Sequence, residues 1–204
     1  VVGVVAAIAI KSIMGAMATV VLFHSVYGLR SAVLEAAGRF REAGHAVVTP
    51  DLYDGEIAPT LDEGFELAQW IGWPSIADRA RAAVRDLPPD TVLAGFSMGA
   101  GVAGGLLSER PDAAGALFLH GTGAVPSNVR PGLPMQMHVA DPDVYATPRE
   151  VSEWVKAAAG ARAEVFRYPG VGHLFTDTGL ADYDEEAAEL VWRRCLDFLA
   201  GLWN

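Results

Sequence analysis

The chain has 204 residues, half of them apolar and a fifth charged, which is material for one full hydrophobic core and argues for a single domain over residues 17–204. Its formal net charge of −10 excludes nucleic acid and anionic membranes as expected partners, since both carry the same sign. The one cysteine, Cys195, excludes a disulfide within the chain and a thiolate metal cluster, and it suits a reducing, cytoplasmic setting.

Residues 1–16, VVGVVAAIAIKSIMGA, open on an apolar run too short to span a bilayer. No positive residue precedes that run, as a secretory signal requires, although the Ala16-Met17-Ala18 stretch resembles a small-residue cleavage site. These residues are expected to be an N-terminal extension outside the native domain, with Met17 as the natural start; an extra strand or short helix packed on the domain is the alternative. From Thr19 onward, short apolar runs at 19–24, 46–49, 91–95, 115–120, 135–140 and 163–168 predict buried strands, each bounded by Gly, Pro or Asp. Helical patterns at 31–43, 62–71, 75–86, 98–109, 148–159 and 184–203 alternate with them. In the last of these, Ala187, Val191, Cys195, Phe198 and Leu202 recur at helical spacing and form the apolar stripe. Such alternation predicts an α/β fold: a mostly parallel, doubly wound sheet with helices on both faces. Functional groups are then expected just after the carboxyl ends of the strands.

The stretch GFSMG (95–99) falls at such a place, between strand 91–95 and helix 98–109, and fits the nucleophile-elbow pattern G-x-S-x-G. A sharp strand-to-helix turn strains the backbone at its apex and leaves no room for neighbouring side chains, which accounts for Gly95 and Gly99. Ser97 is therefore a candidate nucleophile; the alternative is a plain structural corner. A serine hydroxyl needs a base and an orienting acid. Among five histidines only His173, in YPGVGHLF, follows the last strand. His45 suits a helix end, His120 and His138 suit satisfied core groups at strand ends, and His24 abuts the loop after the first strand. For the acid, the stretch ADPDVYATPREV after strand 135–140 offers Asp141 and Asp143, and spacing alone leaves both open. An oxyanion would be met by the Met98 N–H and by an N–H of the loop HSVYG after the first strand.

Taken together, these residues resemble the dienelactone hydrolase family of α/β-hydrolases, from Thr19 to Leu202. The stretch TPDLYDG (49–55) is similar to the family's P-D-L-Y segment and AGFSMGAG to its elbow. DVYATPREV resembles its acid loop, and YPGVGHLF followed by YDEEAAELVWRRCLDFL resembles its most specific motif. The resemblance implies Asp143 rather than Asp141 as the acid and the Val26 N–H as the second oxyanion donor. It also implies an α/β-hydrolase fold. Three positions depart from the family's pattern. Ser97 replaces a nucleophilic cysteine, and Ser25 replaces the glutamate that manages the thiol; the two changes agree. Asp177 stands where the resemblance implies an arginine for a substrate carboxylate, so a carboxylate-bearing dienelactone is disfavoured as substrate.

The short connection GTGAVPSNVRPGLP (121–134) leaves no room for a separate cap domain. The segment 53–75, with Tyr53, Phe65, Trp70 and Trp73, is available to cover part of a pocket or to pack the core. Candidate pocket residues are His24, Ser25 and Tyr27 after the first strand, Tyr53 after the second and Phe175 after the histidine. The expectation is a serine hydrolase of a small carboxylic ester or lactone, acting through an acyl-enzyme on Ser97, His173 and Asp143 without metal or organic cofactor. The alternatives are a non-catalytic binding protein on the same fold, and an acyltransferase or perhydrolase using the same three residues.

Overall fold

Valine, leucine and phenylalanine dominate the strands of this chain, and their alternation decides which face of the sheet each side chain covers. The computed structural model describes residues 17–203, so the expectation for residues 1–16 lies outside the described residues. Six strands form one sheet: β1 (Thr19–Phe23), β2 (Ala46–Val48), β3 (Val92–Phe96), β4 (Ala116–Leu119), β5 (Pro134–Asp141) and β6 (Arg162–Pro169). Their order is β2-β1-β3-β4-β5-β6, and every neighbouring pair is parallel. Among the described residues six α-helices connect or follow them: α1 (Ser31–Glu42), α2 (Leu61–Ile71), α3 (Trp73–Val84), α4 (Met98–Leu106), α5 (Pro148–Ala157) and α6 (Glu185–Gly201).

Successive strand residues point to opposite faces. Val20, Leu22, Val92, Ala94, Leu117 and Leu119 therefore pack with Phe40 of α1 and with Val191, Trp192, Cys195 and Leu199 of α6. Val21, Phe23, Leu93, Phe118, Met135 and Met137 face the other way, against Ile76 of α3, Val102 and Leu106 of α4, and Val151 and Trp154 of α5. Both faces are thus covered, as an all-parallel sheet demands. The helices begin where capping chemistry allows. Thr147 and Glu150 form a reciprocal capping box at α5, and the Asp184 carboxylate accepts the Ala187 N–H at α6.

Boundaries differ little from those expected. The helix predicted to run to residue 109 ends at Leu106, and the one predicted over 148–159 passes into a tighter turn at Ala158–Gly160. Both ends loosen into tighter turns of the kind that commonly finish helices. Residues 120–133, between β4 and β5, form turns without a helix, so no cap sits over the sheet there. From β1 the chain steps outward to β2, then returns to place β3 on the other side of β1. That reversal opens a crevice at the carboxyl ends of β1 and β3, where the backbone of two loops can meet a ligand.

Candidate active site

The turn from β3 into α4 is made by Ser97, which adopts φ 50 and ψ −107. Few residues with a Cβ occupy this region, and the strain is held by the surroundings. A Cβ at Gly95 would lie 2.1 Å from the Gly99 carbonyl oxygen, and one at Gly99 would lie 2.4 Å from the Phe23 carbonyl oxygen. Glycine is required at both places because the obstructing atoms are backbone. The Ser97 N–H donates to the Leu119 carbonyl at 2.7 Å, tying the elbow to the end of β4. Close contact of Gly99 with the backbone of Phe23 and His24 brings the loop after β1 beside the first turn of α4.

Over this turn the segment after β6 carries His173. Its Nε2 lies 3.0 Å from Ser97 Oγ, and its Nδ1 lies 2.8 Å from Asp143 Oδ2. Since a carboxylate only accepts, Nδ1–H donates to Asp143, leaving the Nε2 lone pair facing the serine hydroxyl. The structure therefore brings Ser97, His173 and Asp143 into one hydrogen-bonded row. Asp141 is not part of it: its carbonyl instead accepts the Gly170 N–H and braces the end of β6. Asp143 also accepts from the N–H groups of Tyr145 and Ala146, at 2.8 and 3.3 Å. Burial alone would raise the Asp143 pKa, but the hydrogen bond and charge of His173 and these two N–H groups outweigh it and hold the carboxyl below its ordinary value. The Tyr145 ring packs on the imidazole with centroids 4.7 Å apart, and the half-exposed Phe65 of α2 lies 5.8 Å from Tyr145.

Other residues singled out from sequence fall in different places. Met98 and Val26 are buried beside the elbow and the loop after β1, and neither N–H donates to another group among the described residues. Ser25 and Tyr27 lie in that same loop, where Ser25 Oγ accepts the Tyr27 N–H at 3.3 Å. Ser25 lines a narrow cleft with Val33, Phe96, Leu174, Thr176 and Asp177. His24, Tyr53 and Phe175 are corrections to the pocket expected from sequence, since all three are core residues at 0–1 % exposure. His24 donates from Nδ1 to the Ser25 carbonyl and accepts the Leu52 N–H at Nε2, so it binds β1 to the loop after β2. Tyr53 donates its hydroxyl to Met98 Sδ at 3.1 Å. Trp70 and Trp73 are exposed, which leaves Phe65 as the aromatic of the 53–75 segment that reaches the site.

Asp177 also needs correcting. Arg30 donates to its carboxylate at 3.0 Å while stacking over the Tyr27 ring, so Asp177 presents a balanced ion pair and not the bare negative charge expected. No feature of the sequence joins Arg30 to a residue 147 positions away. Two more residues at the site escaped the sequence reading as partners. His120 is fully buried below the histidine loop, and its Nε2 lies 2.6 Å from Thr176 Oγ1. Among the described residues no group of His, Cys, Asp and Glu side chains is arranged to hold a metal ion, and no helix is long and apolar enough to cross a membrane.

Comparison with known proteins agrees with this architecture. A dienelactone hydrolase, so assigned, from Klebsiella pneumoniae superposes with a TM-score of 0.72 at 21% identity, covering 92% of this chain and 88% of its own. A dienelactone hydrolase-like promiscuous phosphotriesterase from metagenomic libraries gives 0.71 at 19% identity, with 93% and 88% covered. A phospholipase/carboxylesterase from Dyadobacter fermentans gives 0.55 at 18% identity, with 90% and 92% covered. At these identities the likeness establishes the α/β-hydrolase fold. No curated protein sequence matches the chain. The model of one family matches residues 5–202, nearly the whole chain, and by that match the protein belongs to the dienelactone hydrolase family.

Proposed function

We propose that the protein is a serine hydrolase of small carboxylic esters or lactones, with Ser97 as nucleophile, His173 as base and Asp143 as its orienting acid. The observation that carries this reading is the row Ser97 Oγ–His173 Nε2–Asp143, with contacts of 3.0 and 2.8 Å, built on a strained serine. His173 Nε2 takes the Ser97 proton as Oγ attacks the ester carbonyl carbon. The carbonyl oxygen gains the electron pair, and the N–H groups of Met98 and Val26 face it. When the C–O bond to the alcohol breaks, the imidazolium returns its proton to the leaving oxygen, and an acyl-enzyme remains on Ser97. Water, deprotonated by the same histidine, attacks that acyl carbon, and the acid leaves as Oγ recovers its proton. Asp143 keeps Nε2 available and stabilises the imidazolium. For a lactone the alcohol and the acid stay in one product molecule.

Labelling with a fluorophosphonate probe, followed by peptide mass spectrometry on the parent and His173→Ala, tests this reading. A phosphonyl adduct on Ser97 that is lost in the variant supports it, and short p-nitrophenyl esters and lactones are then the substrates to screen. Equal labelling of both proteins, or none on folded parent, refutes it.

A further inference from the structure

Two non-glycine residues at the site have positive φ. One is Ser97; the other is His120, at φ 58, directly after β4. A histidine tolerates this region better than most side chains, but the conformation still requires support from its surroundings. The support is extensive. The His120 N–H donates to the His138 carbonyl at 2.7 Å, and the preceding Leu119 carbonyl accepts the Ser97 N–H. A Cβ on the following Gly121 would lie 3.1 Å from the Ser97 carbonyl oxygen, so this segment is seated under the elbow.

The imidazole packs between Phe96, the residue before the nucleophile, and the segment that carries the base. Its ring stacks on Phe96, the residue before Ser97, with centroids 6.0 Å apart and planes 14° apart. It stands perpendicular to the Phe175 ring with centroids 4.6 Å apart, and the His173 ring centroid lies 6.4 Å away. Its one full hydrogen bond goes to Thr176 Oγ1, while the His173 backbone approaches it at poorer geometry. One side chain thus touches the elbow on one side and three residues of the histidine-bearing segment on the other. Burial foremost, then the neighbouring His173 and His138, hold the His120 pKa well below the histidine range, so it adds no charge beside the imidazolium formed in turnover.

We propose that His120, through Thr176, is a positioning residue: it spans the gap between elbow and histidine loop and so sets the distance from Ser97 to His173. The inference rests on the reading of these two residues as nucleophile and base. A misplacement of about 1 Å can cost about a hundredfold in rate, so partial loosening of this brace is expected to cost about tenfold. Thr176→Val removes the hydroxyl at nearly constant shape. His120→Phe keeps a ring between Phe96 and Phe175 but removes the nitrogen, and His120→Gln restores a hydrogen-bonding group near the Nε2 position.

Steady-state hydrolysis of a p-nitrophenyl ester and melting temperature are measured for these variants, for the Thr176→Val/His120→Phe double variant, and for Ser97→Ala and His173→Ala. The expected result is kcat lowered about tenfold in Thr176→Val and His120→Phe, with KM within about twofold. The double variant should be no worse than the poorer single one, because both changes remove the same contact, and His120→Gln should recover most of the rate. Variants that melt earlier yet keep the parent kcat would overturn the inference. If Ser97→Ala and His173→Ala keep parent activity, the proposed function fails as well; if they lose it while Thr176→Val and His120→Phe do not, the positioning role alone fails.

Discussion

Acid should destabilise this protein through a histidine outside the site. His138 lies on β5 in a directional chain of hydrogen bonds. Arg194 donates to the Tyr168 hydroxyl at 3.0 Å, Tyr168 lies 2.7 Å from His138 Nδ1, and His138 Nε2 lies 2.8 Å from Gln136 Oε1. Gln136 Oε1 only accepts, so Nε2 carries the proton and Nδ1 accepts from Tyr168. Protonating Nδ1 would set a second donor against the tyrosine hydroxyl, which Arg194 already supplies. Burial first, then the Arg194 charge, bring the His138 pKa from 6.5 to about 3. Between these values the unfolded chain binds a proton that the fold excludes, so stability falls as pH falls through this window. At about pH 4.5 the unfolded histidine is about two units below its pKa, and at about 1.4 kcal/mol per unit His138 alone removes about 3 kcal/mol relative to about pH 7.5. Urea unfolding at both pH values, on the parent and His138→Gln, isolates this contribution, because the constant effect of the substitution cancels within each protein. The parent is expected to lose about 3 kcal/mol more than the variant over this interval. Equal losses in the two proteins, within about 0.5 kcal/mol, would refute the reasoning.

Two further perturbations have defined outcomes. Asp143→Asn presents an amide to His173 Nδ1 and favours the wrong tautomer, so kcat should fall about ten-thousandfold. The Asp143 carboxyl is held below its ordinary 3.8, so its stabilisation is present above that value and lost as pH falls through the lowered one. Melting curves between about pH 5 and about pH 2 should show that dependence in the parent and not in the variant. Gly95→Ala forces a Cβ to 2.1 Å from the Gly99 backbone, whereas a Cβ at Gly105 meets nothing within 4 Å. The first change should lower stability by about 3 kcal/mol or more, and Gly105→Ala should leave it unchanged or raise it by up to about 1 kcal/mol. Calorimetric melting temperatures distinguish the two; a well-folded Gly95→Ala with parent stability would contradict the packing of the elbow.

The amino-acid sequence by itself determined the architecture, because strand and helix periodicities are local properties and alternate cleanly along this chain. Val20 and Val21 both read as strand core, and the doubly wound arrangement follows from the order of elements. It also made the elbow legible, since GFSMG places two glycines where a strained turn admits nothing larger. Only tertiary structure decided what depends on residues far apart in the chain. Spacing alone leaves Asp141 and Asp143 open; the acid-loop resemblance implies Asp143, and the fold gives that residue its hydrogen bond to His173, 30 residues on. His24, Tyr53 and Phe175 sit at strand ends as pocket residues would, but their side chains turn into the core, a choice made by packing between elements. Asp177 reads as a lone negative charge until Arg30, at the start of α1, is folded against it. His120 and Thr176 are 56 residues apart and share no motif. Their contact exists because β4 and the segment after β6 end on the same rim of the sheet, and such a contact arises only when the chain closes on itself.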